Sequence, residues 1–155
     1  MKLRVVALGH RMPRWVRDGY ADYAKRLSRE FALELVELKP EARDRGRTVA
    51  QILSAEAARI ESACAGCRIV ALDERGVAWS TRELTAALRR WREADERIAF
   101  VIGSADGLDE SVKERAAAQV ALSALTLPHG LVRVLLAEQV YRAVTVLTGH
   151  PYHRD

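Results

Sequence analysis

Arg97-Ile98-Ala99-Phe100-Val101-Ile102-Gly103-Ser104-Ala105-Asp106-Gly107-Leu108 changes character at a single residue. Up to Ile102 it is short, apolar and rich in β-branched and aromatic side chains, the signature of a buried strand. From Gly103 onward it becomes a loop whose two glycines let backbone approach a neighbour closely. Asp109 then opens a helix to about Ala118. A buried strand, a glycine loop and a helix make one step of a strand–helix alternation, and the rest of the chain repeats it.

On the N-terminal side, Ser80 with Glu83 three residues later has the form of a capping box. It opens a helix ending near Trp91. Before it, Arg68 to Leu72 reads as a strand, closed by a turn at Asp73-Glu74-Arg75-Gly76. Farther back, Thr48 caps a helix to about Ala63, and residues 41–47 form a polar loop. Phe31 to Leu38 alternates apolar and polar positions as a strand with one wetter face, Arg14 to Ser28 has helical spacing, and Leu3 to Leu8 is a buried strand. On the C-terminal side, Val120 to Ala124 is a fifth strand. Pro128 suits the first position of a last helix reaching about Leu147, and residues 149–155 are a short tail. This order predicts an α/β fold over residues 1–155, one domain, with a mainly parallel sheet and helices on both faces.

The last helix is apolar around nearly its whole circumference, with Arg133, Glu138, Gln139 and Arg142 as its strongly polar positions. A helix of that kind is buried. In a chain of 155 residues, one face on the sheet and another in a subunit interface would achieve this, which predicts a homodimer. No apolar run approaches the roughly 20 residues of a membrane span, and the opening residues lack a signal-peptide pattern, so a cytoplasmic protein is expected. The net charge of +4 is unevenly placed: residues 1–47 hold 12 basic and 7 acidic side chains, residues 48–155 hold 13 and 14. An N-terminal third bearing Arg4, Arg11, Arg14, Arg17, Lys25, Arg26, Arg29, Arg43, Arg45 and Arg47 would attract phosphates, although a general preference for Arg over Lys accounts for part of the excess. Cys64-Ala65-Gly66-Cys67 follows a helix and precedes a strand. That is the wrong side for a helix N-terminus to activate a thiol, and no second ligand pair completes a zinc site.

Open α/β sheets bind ligands beyond the carboxyl ends of their strands. Three segments reach that edge: Leu72-Asp73, Gly103 to Leu108, and Leu125 to Pro128. The chain has neither a dinucleotide fingerprint nor a P-loop, and Ser104 and Ser123 sit in no nucleophile elbow. Asp73, Asp106 and Asp109 come from different loops without ligand spacing, so no metal site is expected. Pattern alone therefore ends at a cleft for a nucleotide-type ligand.

Leu122-Ser123-Ala124-Leu125-Thr126-Leu127-Pro128-His129, Leu131-Val132-Arg133-Val134-Leu135, Ala137-Glu138-Gln139-Val140-Tyr141-Arg142-Ala143 and His150-Pro151-Tyr152-His153-Arg154-Asp155 closely resemble the RlmH family. The likeness extends to Met1-Lys2-Leu3 and Met12-Pro13-Arg14-Trp15-Val16. It implies an α/β fold of the SPOUT class with a C-terminal trefoil knot, working as a homodimer. The implied reaction is S-adenosylmethionine-dependent methylation of N3 of a pseudouridine (pseudouridine-1915) in the 23S RNA of the large subunit, on the assembled 70S ribosome. Carried over by position, the cofactor contacts would be Leu72, Gly103, Leu122, Ser123, Ala124, Leu125, Thr126 and Leu127. Gly103 would allow close backbone approach. The irregular 122–127 segment would offer N–H and C=O groups to the adenine edge, with Leu72, Leu122, Leu125 and Leu127 against its faces. The family usually has Gly-Gly-Pro-Glu-Gly where this chain has Gly103-Ser104-Ala105-Asp106-Gly107. If the second position needed a positive φ, Ser104 would cost about 1 kcal/mol; an adjusted loop and retained activity are expected.

For the transfer itself, His153 is a candidate base for the N3 proton, and Arg154 a candidate to stabilise the resulting anion or hold a phosphate. The alternative is that this tail only closes over the cofactor or binds RNA backbone. Arg142 is a candidate RNA contact or a partner for Glu138 one turn earlier, and Tyr152 a candidate for stacking on a base. Two competing functions remain: a methyltransferase of the same fold acting on transfer RNA, and a non-enzymatic ribosome-binding module.

Overall fold

The computed structural model describes residues 1–44 and 46–153; Arg45, Arg154 and Asp155 lie outside the described residues. Ten elements alternate in order: β1 (Leu3–Leu8), α1 (Arg14–Ala24), β2 (Leu33–Leu38), α2 (Val49–Ala63), β3 (Arg68–Ala78), α3 (Thr81–Glu93), β4 (Ile98–Ile102), α4 (Glu110–Arg115), β5 (Ala118–Ala121) and α5 (His129–Thr148). The five strands form one sheet in the order β2-β1-β4-β3-β5, and every pairing is parallel. The α/β expectation holds, with an all-parallel sheet in place of a mainly parallel one.

Side chains alternate across a strand, so the central strands feed two cores. Val5, Ala7, Ile98 and Phe100 point toward α1, α3 and α5, where they meet Tyr20, Leu88, Leu136 and Val140. Val6, Leu8, Ala99 and Val101 point the other way, onto Ala57 and Ile60 of α2 and Val112 of α4. Burial on both faces explains why β1 and β4 read as continuous apolar runs. The edge strand β2 is only half-buried, hence its alternation. Both expected helix starts are capped as full boxes: Ser80 with Glu83, and Thr48 with Gln51, whose side chain returns a bond to the Thr48 N–H. No helix is long and apolar enough to cross a membrane, among the described residues.

Several boundaries differ from expectation for physical reasons. The helix expected over Arg14 to Ser28 ends at Ala24, because the chain tightens into i→i+3 turns, Leu27 N–H donating to the Ala24 carbonyl. Leu27 nonetheless keeps its place against the core, so the apolar spacing outlives the helix. Phe31 belongs to a single 3-10 turn (Arg29–Phe31) rather than to β2. The helix begun at Asp109 stops at Arg115, since the Ala117 N–H donates to the Ile69 carbonyl and draws the chain into the sheet. Strand β5 accordingly runs from Ala118 to Ala121, earlier than the expected Val120 to Ala124. Pro128 is the N-cap of α5, one residue before its start.

Asp73-Glu74-Arg75-Gly76 does not end β3. Both Leu72 and Val77 pair with Val120, so these four residues bulge out of the ladder and the strand resumes. Asp73 accepts a hydrogen bond from the Arg75 N–H at 2.8 Å, which shapes a turn inside the strand. At Gly76 the two backbones pass so closely that a Cβ would lie 2.6 Å from the Val120 nitrogen.

Candidate active site at the carboxyl edge of the sheet

A cavity of about 310 Å³ opens where β3, β4 and β5 end. Its sheet wall is Val70, Leu72, Phe100, Val120 and Leu122. Trp79, Ser80, Thr81 and Leu84, at the start of α3, form a second wall, and Leu135, Leu136 and Gln139 of α5 a third. The site is therefore apolar with a few polar groups on one side, and its size lies at the lower end of the roughly 300–1,000 Å³ of small-molecule sites. On that polar side the Thr81 hydroxyl donates to the Gln139 side-chain oxygen at 2.7 Å.

Leu72 and Leu122 share this lining; Gly103, Ser123, Ala124, Leu125, Thr126 and Leu127 are not among the residues that line it. Gly103 follows β4 with the loop folded back on it, so that a Cβ there would stand 2.6 Å from the Gly107 carbonyl carbon. Residues 122–127 have no regular structure. Within them the Ser123 hydroxyl accepts the Leu125 N–H at 2.9 Å, and Thr126 donates to Glu74 at 3.1 Å, tying the segment to the β3 bulge. Leu125 is 73% exposed, so it packs against nothing in this chain that would hide it. Lys113 anchors the same bulge through Asp73 at 3.0 Å. Burial pushes the Asp73 carboxyl up, but the Arg75 N–H and the Lys113 ammonium outweigh it and hold the group below the usual carboxylate range.

Ser104 is not in the left-handed region; the non-glycine residues with positive φ are Arg11 and Asp95, among those described. Its hydroxyl donates to Glu56 at 2.7 Å and accepts from Arg43 at 3.3 Å, while Arg43 pairs with Asp106 at 2.7 Å. Ser104 therefore carries no left-handed backbone strain. Asp73, Asp106 and Asp109 go to three different partners: Lys113, Arg43 and the Ser111 N–H at the α4 cap.

The tail folds against α5. Glu138 gathers it, accepting from Arg142 Nε at 2.8 Å, from the Tyr152 hydroxyl at 3.1 Å and from Gln139 at 2.7 Å. Tyr152 also stacks at 4.6 Å on Tyr141, and the Arg142 guanidinium lies 5.0 Å from its ring centre. Burial, with Tyr23 and Glu138 adding, pushes the Tyr152 phenol up to about 12. The Arg142–Glu138 pairing is the helical one anticipated. His153 is half-buried, and its Nδ1 is shielded from solvent without a hydrogen-bond partner. No residue of the described tail lines the cavity. Arg154 lies outside the described residues.

Other side chains around the edge escaped sequence reasoning. Arg133 counted as a polar position of the last helix, yet it is 1% exposed. Its Nη1 donates to Glu37 at 2.6 Å, its Nη2 to the Gly9 carbonyl at 2.7 Å and its Nε to His129 at 3.0 Å. The i, i+4 spacing of His129 and Arg133 was the available signal. Thr81, Gln139 and Glu56 had none, since their partners are distant in sequence. In the first third, Arg4, Arg14, Lys25, Arg26 and Arg47 pair with carboxylates of that same third, which leaves its basic excess in place, while Arg43 pairs with Asp106 from outside it. Cys64 is buried and Cys67 half-buried; both are free, and burial pushes the Cys64 thiol up to about 11, far from a reactive thiolate.

Comparison with known proteins bears on this site. Residues 1–153 match the family described as predicted SPOUT methyltransferase. Curated relatives named ribosomal RNA large subunit methyltransferase H are similar over 155 residues, 99% of this chain and of theirs. The protein from Ralstonia nicotianae is 56% identical, that from Nitrosospira multiformis 53% and that from Burkholderia thailandensis 52%. In three dimensions, a crystal structure of a protein assigned to a methylase family in Neisseria gonorrhoeae superposes with a TM-score of 0.55 at 15% identity, covering 99% of this chain and 86% of that one, which supports the fold. Family model, full-length relatives and parallel sheet agree: the chain belongs to the SPOUT methyltransferases, in the ribosomal RNA large subunit methyltransferase H family.

Proposed function

We propose that this chain methylates N3 of a pseudouridine in 23S ribosomal RNA, acting in the cytoplasm on the assembled 70S ribosome, with S-adenosylmethionine as donor. The carrying observation is the cavity at the carboxyl ends of β3, β4 and β5. Its apolar walls, including Leu72 and Leu122, suit the faces of an adenine ring, and the Thr81–Gln139 pair suits a polar edge of the nucleoside. The irregular 122–127 backbone beside it has N–H and C=O groups outside the sheet ladder, fit to read that edge. Gly103, with Ser123, Ala124, Leu125, Thr126 and Leu127, completes the proposed donor site.

When bound, the donor supplies an electrophilic methyl group on a sulfonium. The chain's own task is alignment, which for such a transfer supplies much of the acceleration. The acceptor N3 carries a proton that must leave. His153, whose Nδ1 is shielded and unpartnered, is the proposed acceptor of that proton, and Arg154 the group that steadies the resulting anion. Arg142 and Tyr152 are proposed to meet the RNA. The hydrogen bonds Thr81–Gln139–Glu138–Tyr152 join the cavity wall to the tail. A homodimer belongs to the same reading, because Leu131, Val132, Val134 and Leu135 of α5 remain only half-buried in one chain. The trefoil knot implied by the resemblance belongs to the same reading.

Incubation of the protein with labelled S-adenosylmethionine and unmethylated ribosomes, separated subunits or transfer RNA tests this. Label on N3 of one large-subunit pseudouridine, mainly in whole ribosomes, is expected. Label on transfer RNA would replace the substrate, and failure to bind the donor would leave a ribosome-binding module.

A further inference from the structure

The His129 ring joins the end of β4 to the interior of α5. Its Nδ1 lies 2.8 Å from the Gly103 carbonyl oxygen and its Nε2 lies 3.0 Å from Arg133 Nε. A guanidinium has donors only, so Nε2 must accept, and the ring hydrogen sits on Nδ1 and is donated to Gly103. The tautomer is thus imposed by the arginine. Arg133 in turn is held by Glu37 at the end of β2 and by the Gly9 carbonyl just beyond β1. One relay therefore spans the carboxyl edge: β2 and β1 to Arg133, Arg133 to His129, His129 to Gly103.

Burying a guanidinium is expensive, and apolar replacements of buried ion pairs are often no less stable. A fold that only needed a filled core here has cheaper solutions. What an apolar residue cannot do is orient a peptide group. Because the peptide unit is planar, holding the Gly103 carbonyl fixes the Gly103–Ser104 plane. On the far side of that plane the Ser104 hydroxyl is held by buried Glu56. None of Gly103, Ser104, His129, Arg133 and Glu37 is among the residues lining the cavity, so the relay would act on the loop at its edge.

We propose that His129, its tautomer set by Arg133, is a positioning residue for the donor site: its bond to the Gly103 carbonyl orients the Gly103–Ser104 peptide, which the donor reading puts beside the bound donor. This rests on the donor reading above.

Two isosteres separate the halves of the relay. His129→Asn keeps an N–H near the Nδ1 position, facing Gly103, and loses the acceptor for Arg133. His129→Gln keeps an acceptor near the Nε2 position and takes the donor away from Gly103. S-adenosylmethionine affinity by calorimetry, donor KM and kcat on ribosomes, and thermal midpoint are measured for both in the full chain. His129→Gln is expected to weaken donor affinity and raise donor KM roughly tenfold, the order of one lost hydrogen bond, with kcat changed less. His129→Asn is expected to stay within about threefold of the parent, since it retains the Gly103 bond. Equal effects of the two variants, or no effect of His129→Gln on donor affinity, would overturn the relay. Long-range nitrogen–proton NMR of the unaltered protein should show His129 as the Nδ1–H tautomer, and the Nε2–H form would also overturn it, whether or not the variants fold. Leu122→Arg, placed in the cavity wall, tests the underlying reading separately: unchanged donor affinity there would displace the donor site itself, whereas lost affinity together with a silent His129→Gln would remove only the relay.

Discussion

The hydroxyl of Ser104 donates to the carboxylate of Glu56 across 2.7 Å, joining the loop after β4 to the middle of α2. Glu56 is 1% exposed, and its other oxygen accepts the Glu41 N–H at 3.0 Å. A buried carboxylate needs such partners. Serine where the family usually has glycine is thus a gain of one anchor. Ser104→Gly is expected to lower unfolding stability by about 1–3 kcal/mol, the cost of leaving a buried acceptor short of a partner. Denaturant midpoints with unchanged slopes would show it; a neutral or stabilising result would mean that water takes the hydroxyl's place.

Gly103→Ala and Gly76→Ala should both destabilise, by roughly 1–3 kcal/mol as for other overpacked sites. At each position a Cβ would meet backbone within 2.6 Å rather than a yielding side chain. Only Gly103→Ala is expected also to lose donor affinity, because Gly103, and not Gly76, belongs to the proposed donor site. Calorimetric donor titration beside thermal melting separates the two effects.

Stability should fall on mild acidification through His129. Burial, with the Arg133 charge adding and the Gly103 carbonyl and Glu37 opposing, lowers its pKa from the ordinary 6.5. The unfolded chain then takes up the proton first. The contribution is therefore complete above pH 6.5 and is lost as pH falls from there toward the folded value. Carboxylates held low, such as Asp73 and Glu41, act in a more acidic window. Unfolding at pH 7.5 and 5.5 should show a drop that shrinks in His129→Asn; an undiminished drop would assign it elsewhere.

Glu138→Ala should free the tail while sparing the core. Arg142 and Tyr152 both lose their acceptor, and the link to Gln139 and Thr81 is cut. Hydrogen exchange is expected to speed up over residues 149–153, and turnover to fall with donor affinity little changed. Unaltered exchange in the tail would show that the Tyr152–Tyr141 stacking holds it alone.

Sedimentation at micromolar concentration should show a species of twice the chain mass. Leu131→Glu, half-buried on α5 and outside the cavity lining, should shift it toward the single chain. A parent protein that sediments as one chain would remove the dimer.

The amino-acid order alone determined the alternation of strands and helices. It also determined the Ser80–Glu83 capping box, the Thr48 cap and the apolar runs that place β1 and β4 inside the sheet, because period, capping chemistry and β-branching act between near neighbours. It likewise pointed to the carboxyl edge, where Leu72 and Leu122 share the cavity wall, and its long C-terminal strings carried the family. Strand limits were less legible where a distant partner decides them. Val77 and Ala78 rejoin the ladder because β5 stands beside them, and Ala117 leaves its helix for the Ile69 carbonyl. The tertiary structure alone decided that Arg133 is buried, that Glu56 meets Ser104, that Thr81 meets Gln139, and that Arg142 and Tyr152 share Glu138 rather than standing free. Each of these satisfies a polar group removed from water, and such a group takes whatever partner the folded chain brings within about 3 Å, a proximity that residue spacing does not encode.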